Sequence, residues 1–142
     1  MTTITKERLS YIASVAKTAR DNALIKNPID IAIANGISIS FVDLDNELPA
    51  FADLKSRIIY ISKYADNYSR QILCAHEMGH ILLQKDNSVS LFDETLDSIN
   101  EFEANLFLYY IYPKVFSRMN YSMIHSIEDF NHYVVRQIRF CI

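Results

Sequence analysis

Apolar positions along the chain follow a helical period at both ends and an extended one in between. From about Thr5 to Ala23, Leu9, Ile12, Ala13 and Ala16 fall at helical spacing with Lys and Arg between them, predicting an amphipathic helix. A second, short helix is marked by Asn27 as cap, Pro28 at the first position and Gly36 beyond the run Ile29 to Asn35. The pattern then turns extended. Ile37 to Leu44 is rich in β-branched residues, and Ala50 to Leu54 and Arg57 to Ile61 read as two strands with Lys55 and Ser56 as the hairpin turn. Asp66 is placed to cap a long helix reaching about Lys85, with Ile72, Leu73, His76, Met78, His80, Ile81 and Leu83 along it. The polar stretch Asp86 to Asp97 reads as a loop. A helix from about Ser98 to Tyr112 carries Phe102, Leu106, Phe107 and Tyr110 and is stopped by Pro113. Lys114 to Met119 suggests another short helix, and Ser126 with Asp129 resembles a capping box opening a last helix through about Phe140. These elements predict an α+β fold: a small sheet of about three strands, with helices concentrated after it.

Composition narrows the classes. At 142 residues, half of them hydrophobic and 12% aromatic, the chain fits one domain spanning 1–142 with a full core. Two glycines and three prolines leave little room for repeats or flexible linkers. A net charge of −3 gives no electrostatic reason to expect nucleic acid as a partner. Cys74 and Cys141 are too few for a disulfide framework in a chain this long. The opening MTTITKERLSYIASVAK carries charges throughout, unlike a secretory signal, and the longest apolar run, Leu106 to Tyr112, is far short of a membrane span. The expectation is a soluble, cytoplasmic protein with no membrane partner.

Chemistry concentrates in His76-Glu77-Met78-Gly79-His80, an H-E-x-x-H. Histidines four apart on a helix share one face a single turn apart, so two imidazoles can grip one Zn²⁺. Glu77 leans to the same side and can reach a water at the ion as general base without being a ligand, an arrangement suited to metal-assisted hydrolysis. The segment alone could also be an amphipathic helix with two surface histidines. Its flanks argue otherwise: Ile72-Leu73-Cys74-Ala75 and Ile81-Leu82-Leu83 are apolar, and two histidines and a glutamate in a buried segment are costly unless paired or metal-bound. Gly79, a poor mid-helix residue, implies that something approaches closely there. A catalytic zinc site needs a third protein ligand. The metzincin pattern would place Gly at 83 and His at 86, where this chain has Leu83 and Asp86. The remaining route is a glutamate from the next helix, Glu101 or Glu103.

With both segments in view, the sequence resembles the ImmA/IrrE family of zinc metallopeptidases. Cys-Ala-His-Glu-Met-Gly-His-Ile-Leu-Leu (74 to 83), Glu-Phe-Glu-Ala-Asn-Leu-Phe (101 to 107) and the closing Pro113 carry the resemblance, which covers about residues 5 to 113 and fits the C-terminal helices only loosely. It implies a zincin-like fold, with the sheet packed against an active-site helix and C-terminal helices. It also chooses between the two glutamates. In related gluzincins the ligand glutamate is followed four residues later by an acid or amide that orients a ligand histidine. Glu101 and Asn105 have that spacing, whereas Glu103 would require Phe107. Resemblance therefore implies Glu101 as third ligand, Asn105 as the residue behind an imidazole, and Glu103 as a solvated or structural carboxylate. Family members are often carried by phages or mobile elements and cleave a helix-turn-helix repressor, so the implied partner is a protein substrate of that kind.

Some features remain open at this level. Tyr109, Tyr112, His125 and His132 are chemically able to stabilise an oxyanion, and nothing in the sequence selects one. Cys74 reads as a buried core thiol, and the aromatic residues between Phe102 and Tyr121 as core more simply than as a peptide groove. The 86–97 loop is expected to border the cleft. Its acidic residues could favour a basic substrate, though solvated charge is the commoner meaning. Two other functions compete: a non-proteolytic antirepressor using zinc structurally, and a DNA-binding regulator with a relic metal site. The acidic balance disfavours the second, though Arg136 and Arg139 leave a small basic end.

Overall fold

A computed structural model describes residues 4–83 and 94–141. Helix α1 (Lys6–Asp21) starts where the Thr5 hydroxyl accepts the Arg8 N–H at 3.0 Å. Helix α2 (Pro28–Ala34) is capped by the Asn27 side chain on the Asp30 N–H, and Gly36 turns the chain out of it at φ 75°. Strands β1 (Ser38–Val42), β2 (Ala50–Asp53) and β3 (Ile58–Ser62) follow. After them come α3 (Asn67–Leu83), α4 (Glu94–Ile111), 3-10 turns at Pro113–Phe116 and Tyr121–Met123, and α5 (Ile127–Val135). None of the described helices is long and apolar enough to cross a membrane.

The sheet has the order β1-β3-β2, with β3 parallel to β1 and antiparallel to β2. Central β3 buries Ile59 and Ile61 completely, as period-two alternation requires. The β2–β3 turn is held by Asp53, whose Oδ1 accepts the Lys55 and Ser56 N–H groups and whose Oδ2 accepts the Ser56 hydroxyl. Arg57 closes it at φ 56°. Helix α3 lies between this sheet and the remaining helices, burying residues on nearly every side. Its core partners include Ile12, Ile31, Phe107 and Leu108. The expected α+β architecture with a three-stranded sheet is therefore present.

Three boundaries differ from the sequence reading. Helix α4 begins at Glu94, not near Ser98, while residues 86–93 of the expected loop, and 84–85 of the helix expected before it, lie outside the described residues. The segment after Pro113 forms one 3-10 turn rather than a helix to Met119. Helix α5 ends at Val135 instead of continuing to Phe140. Long-range backbone bonds take over there: Asp66 N–H donates to the Arg139 carbonyl at 3.0 Å, Cys141 N–H donates to the Tyr64 carbonyl at 2.6 Å, and Phe140 bridges Ala65. These partners lie far away in sequence, so local periodicity could not announce them.

Helices α3 and α4 make the tightest approach near the motif. A Cβ added at Gly79 would lie 3.0 Å from Phe107 Cβ, 3.1 Å from Ala104 Cα and 3.2 Å from the Ala104 carbonyl oxygen. Two of these are backbone atoms, so relief requires moving α4. Gly79→Ala gains about 1 kcal/mol of helix propensity, but the overpacking costs about 1–3 kcal/mol. The expected net result is a melting temperature lower by roughly 3–6 °C, with weaker divalent-metal binding. Thermal melts with and without metal check this, and an unchanged melting temperature would contradict the packing.

Candidate metal centre

Helix α3 presents His76 and His80 one turn apart, and α4 brings Glu101 to both. The Nε2 atoms of the two histidines are 3.1 Å apart. Glu101 Oε2 is 3.0 Å from His76 Nε2, and Glu101 Oε1 is 2.8 Å from His80 Nε2. One donor atom from each of the three lies within 4.8 Å of the others, a cluster able to hold a metal ion. The histidine side chains are only 12% and 13% exposed, whereas Glu101 is 49% exposed, so the cluster opens on the carboxylate side. Two imidazoles and one carboxylate suit a divalent transition metal with a coordination position left over. Among the described residues, no fourth His, Cys, Asp or Glu joins the trio.

The two candidate glutamates part company in α4. Glu103 lies two residues from Glu101, which rotates it to the far side of the helix. There Arg8 of α1 grips it bidentately, Nε to Oε2 at 2.8 Å and Nη2 to Oε1 at 2.6 Å. Glu103 is a buried tether between helices, not a solvated charge. Asn105, 2% exposed, places Oδ1 2.7 Å from His76 Nδ1, on the ring side away from the His80 and Glu101 contacts.

Electrostatics couple the cluster. Burial works against the His76 imidazolium, but Glu101, Glu77 and Asn105 outweigh it and raise His76 to about 9. Burial also works against the Glu101 carboxylate, yet hydrogen bonds and charge from His76 and His80 hold it well below the ordinary range. Glu77 is 8% exposed, with Oε2 3.9 Å from His76 Nε2. Burial pushes its carboxyl upward, against the pull of both histidines. A carboxyl raised in this way is better matched to proton transfer near neutral pH.

The three donors and Glu77 line a cleft of roughly 910 Å³. Its walls are the 46–52 segment with edge strand β2 on one side and Val134, Val135, Ile138 and Phe140 on the other. None of Tyr109, Tyr112, His125 and His132 lines it. Tyr109 packs on Phe116 at 5.4 Å between ring centroids, and Tyr112 carries the Lys114 ammonium 5.0 Å from its ring centroid. His125 and His132 are exposed elsewhere. Phe102, Phe116, Phe130 and Tyr133 stack into one aromatic cluster, which is core packing. Cys74 is fully buried, and burial raises its thiol far above the ordinary value, so it is inert packing. The sequence reading missed Asn131 of α5, which lines the cleft and bonds Asn105. One signal was available: Asn131 is the amide in the stripe Ile127, Asn131, Val134, Val135.

Residues 34–136 match the Peptidase M78 family, described as an IrrE N-terminal-like domain. The chain belongs to this family. The match takes in both motif segments and α5, so the C-terminal helix fits better than the resemblance suggested, while α1 lies outside it. No curated protein matches the chain. Membership identifies a metallopeptidase-like domain, and the His76, His80 and Glu101 cluster is consistent with a bound metal.

The couplings set a pH signature for the metal-free protein. His76 is raised in the folded state, so its stabilisation is complete below the unfolded imidazole value of 6.5 and is lost as pH rises through about 9. Glu101 is lowered, so its contribution is present above its unfolded value of 4.5 and is lost in acid. The chelated protein should therefore melt at progressively lower temperature between pH 6.5 and 9. Metal requires neutral imidazoles, so the stabilisation by added zinc should widen over the same range. Calorimetry with and without chelator measures both trends, and a flat chelated series would contradict the coupling.

Proposed function

We propose that this protein is a zinc-dependent endopeptidase in which His76, His80 and Glu101 hold the metal and Glu77 is the general base. The observation that carries the reading is the convergence of both Nε2 atoms and the Glu101 carboxylate on one point, beside a buried Glu77 in an open cleft. A bound divalent ion supplies Lewis-acid polarisation of the scissile carbonyl and lowers the pKa of water. Glu77 takes the proton of the attacking water and delivers it to the departing amine. Asn105 holds the His76 ring, and Glu101, open to the cleft, completes the donor set.

The cleft suits an extended protein segment. Strand β2 is a sheet edge, so its free side offers main-chain hydrogen bonds to such a segment. Leu48, Phe51 and Val135 are exposed apolar side chains at the walls and favour apolar residues near the scissile bond. The substrate we infer is a specific regulatory protein, a helix-turn-helix repressor of a phage or mobile element, cut at one or few sites. The setting is cytoplasmic, and residues 1–142 act as one metallopeptidase domain. The competing non-proteolytic antirepressor gains no specific support: a structural site would use a fourth protein donor, which the described residues do not offer.

Metal analysis should find one zinc per chain, lost in His76→Ala and in Glu101→Ala but retained in Glu77→Gln. Chelator-sensitive cleavage of a repressor encoded beside this chain should fall by about 10²–10⁴ in Glu77→Gln. Wild-type cleavage by Glu77→Gln would refute the mechanism, and zinc retained by both ligand variants would refute the donor set.

A further inference from the structure

We propose that Asn131 is a positioning residue that fixes the tautomer of His76, relaying the polarity of one backbone carbonyl through two side-chain amides to the metal-facing imidazole. The inference rests on the metal-centre reading above and adds a residue that H-E-x-x-H and E-x-x-A-N do not contain. The relay starts at the Ser98 carbonyl, an atom that only accepts. Asn131 approaches it with Nδ2 at 3.2 Å, so the amino end of Asn131 must face Ser98. Its carbonyl end then faces Asn105 and accepts from Asn105 Nδ2 at 2.8 Å. Asn105, with its amino end committed, turns Oδ1 to His76 Nδ1 at 2.7 Å. In the neutral ring that nitrogen must carry the hydrogen, which leaves Nε2, the nitrogen facing His80 and Glu101, as the one able to bind metal.

Reversing either amide sets amino against amino or oxygen against oxygen, so one orientation alone satisfies all three contacts. Asn105 cannot impose this by itself. An amide free at its far end can turn and offer Nδ2 to a His76 whose hydrogen sits on Nε2, the form that cannot bind metal there. Asn131 also braces a second donor, because Ser98 precedes Glu101 by one turn of α4. Neighbouring Phe130 keeps α5 in place, stacked on Phe116 at 5.3 Å and edge-on to Phe102 at 5.4 Å between ring centroids.

The test is the zinc dissociation constant by chelator competition, read beside the metal-free melting temperature and the exchange rate of the His76 Nδ1 hydrogen in the zinc-loaded, ¹⁵N-labelled protein. Asn131→Ala, and Asn131→Leu as the variant that keeps side-chain volume, should each weaken zinc binding about three- to tenfold, less than the about 10- to 100-fold expected for Asn105→Ala. Both should speed exchange of the Nδ1 hydrogen at least about tenfold by releasing Asn105. Asn131→Asp keeps an acceptor facing Asn105, so it should stay within about twofold of wild type in zinc affinity, even where the lost Ser98 contact lowers the melting temperature. A packing role predicts the opposite order, with the buried charge of Asp worse than Leu. Wild-type affinity in Asn131→Ala and Asn131→Leu beside a weakened Asn105→Ala, or an Asp variant as weak as Leu, overturns the relay. Affinity unchanged in Asn105→Ala as well, or a wild type that takes no zinc, overturns the metal-centre reading beneath it.

Discussion

A single hydrogen atom at position 79 sets how closely two helices can meet, and the rest of the site follows from that distance. With no Cβ on Gly79, the α4 backbone at Ala104 comes within contact of the α3 surface. On α4, Glu101, Ala104 and Asn105 share one face at spacings of three and four, so seating Ala104 on Gly79 also seats its neighbours. Glu101 meets His80 and His76, while Asn105 meets His76 alone. The contacts therefore run in opposite senses along the two helices, and one packing register supplies both the proposed ligand and its support. A larger residue at 79 would separate the helices and lengthen every one of these contacts together.

Such proximity concentrates charge where water is scarce. His76 and Glu77 are nearly buried, and each would be costly alone. The cluster resolves this by mutual pairing: the imidazoles hold Glu101 ionised, and Glu101 and Asn105 support the imidazolium of His76. No buried side-chain nitrogen or oxygen among the described residues lacks a partner. These pairings leave the site self-satisfied. An imidazole must be neutral to bind a metal, so occupancy of any such site is tied to pH and falls in acid.

The sequence announced what depends on local chemistry. Asn27 and Pro28 mark the start of α2, Ser126 caps α5 through the Asp129 N–H, and Gly79 marked a close approach before its partner was known. The H-E-x-x-H spacing anticipated the shared face of His76 and His80. What stayed illegible depends on residues far apart in the chain. The resemblance singled out Glu101, but nothing near Glu103 disclosed that Arg8, 95 residues away, takes its carboxylate. The end of α5 at Val135 is decided by Asp66 and Tyr64, which bind Arg139 and Cys141 through the backbone. The candidate oxyanion donors were chosen by chemical type, but position decides, and none of the four reaches the cleft.

Support for helix α4 also comes from outside the matched region. Helix α1 precedes residue 34, where the family match begins, yet Arg8 forks onto Glu103, two residues from the proposed ligand Glu101. Glu103 is buried on the side of α4 away from the cluster, so this pair braces the helix from behind while α3 and α5 hold its front. Removing Arg8 would leave a buried carboxylate uncompensated, and the simplest relief is for α4 to rotate Glu103 toward water. That rotation would carry Glu101 away from His76 and His80, since both glutamates ride on the same rigid turn. The register set at Gly79 is therefore held from two sides, by a glycine that permits the approach and by an arginine that prevents the helix from turning out of it.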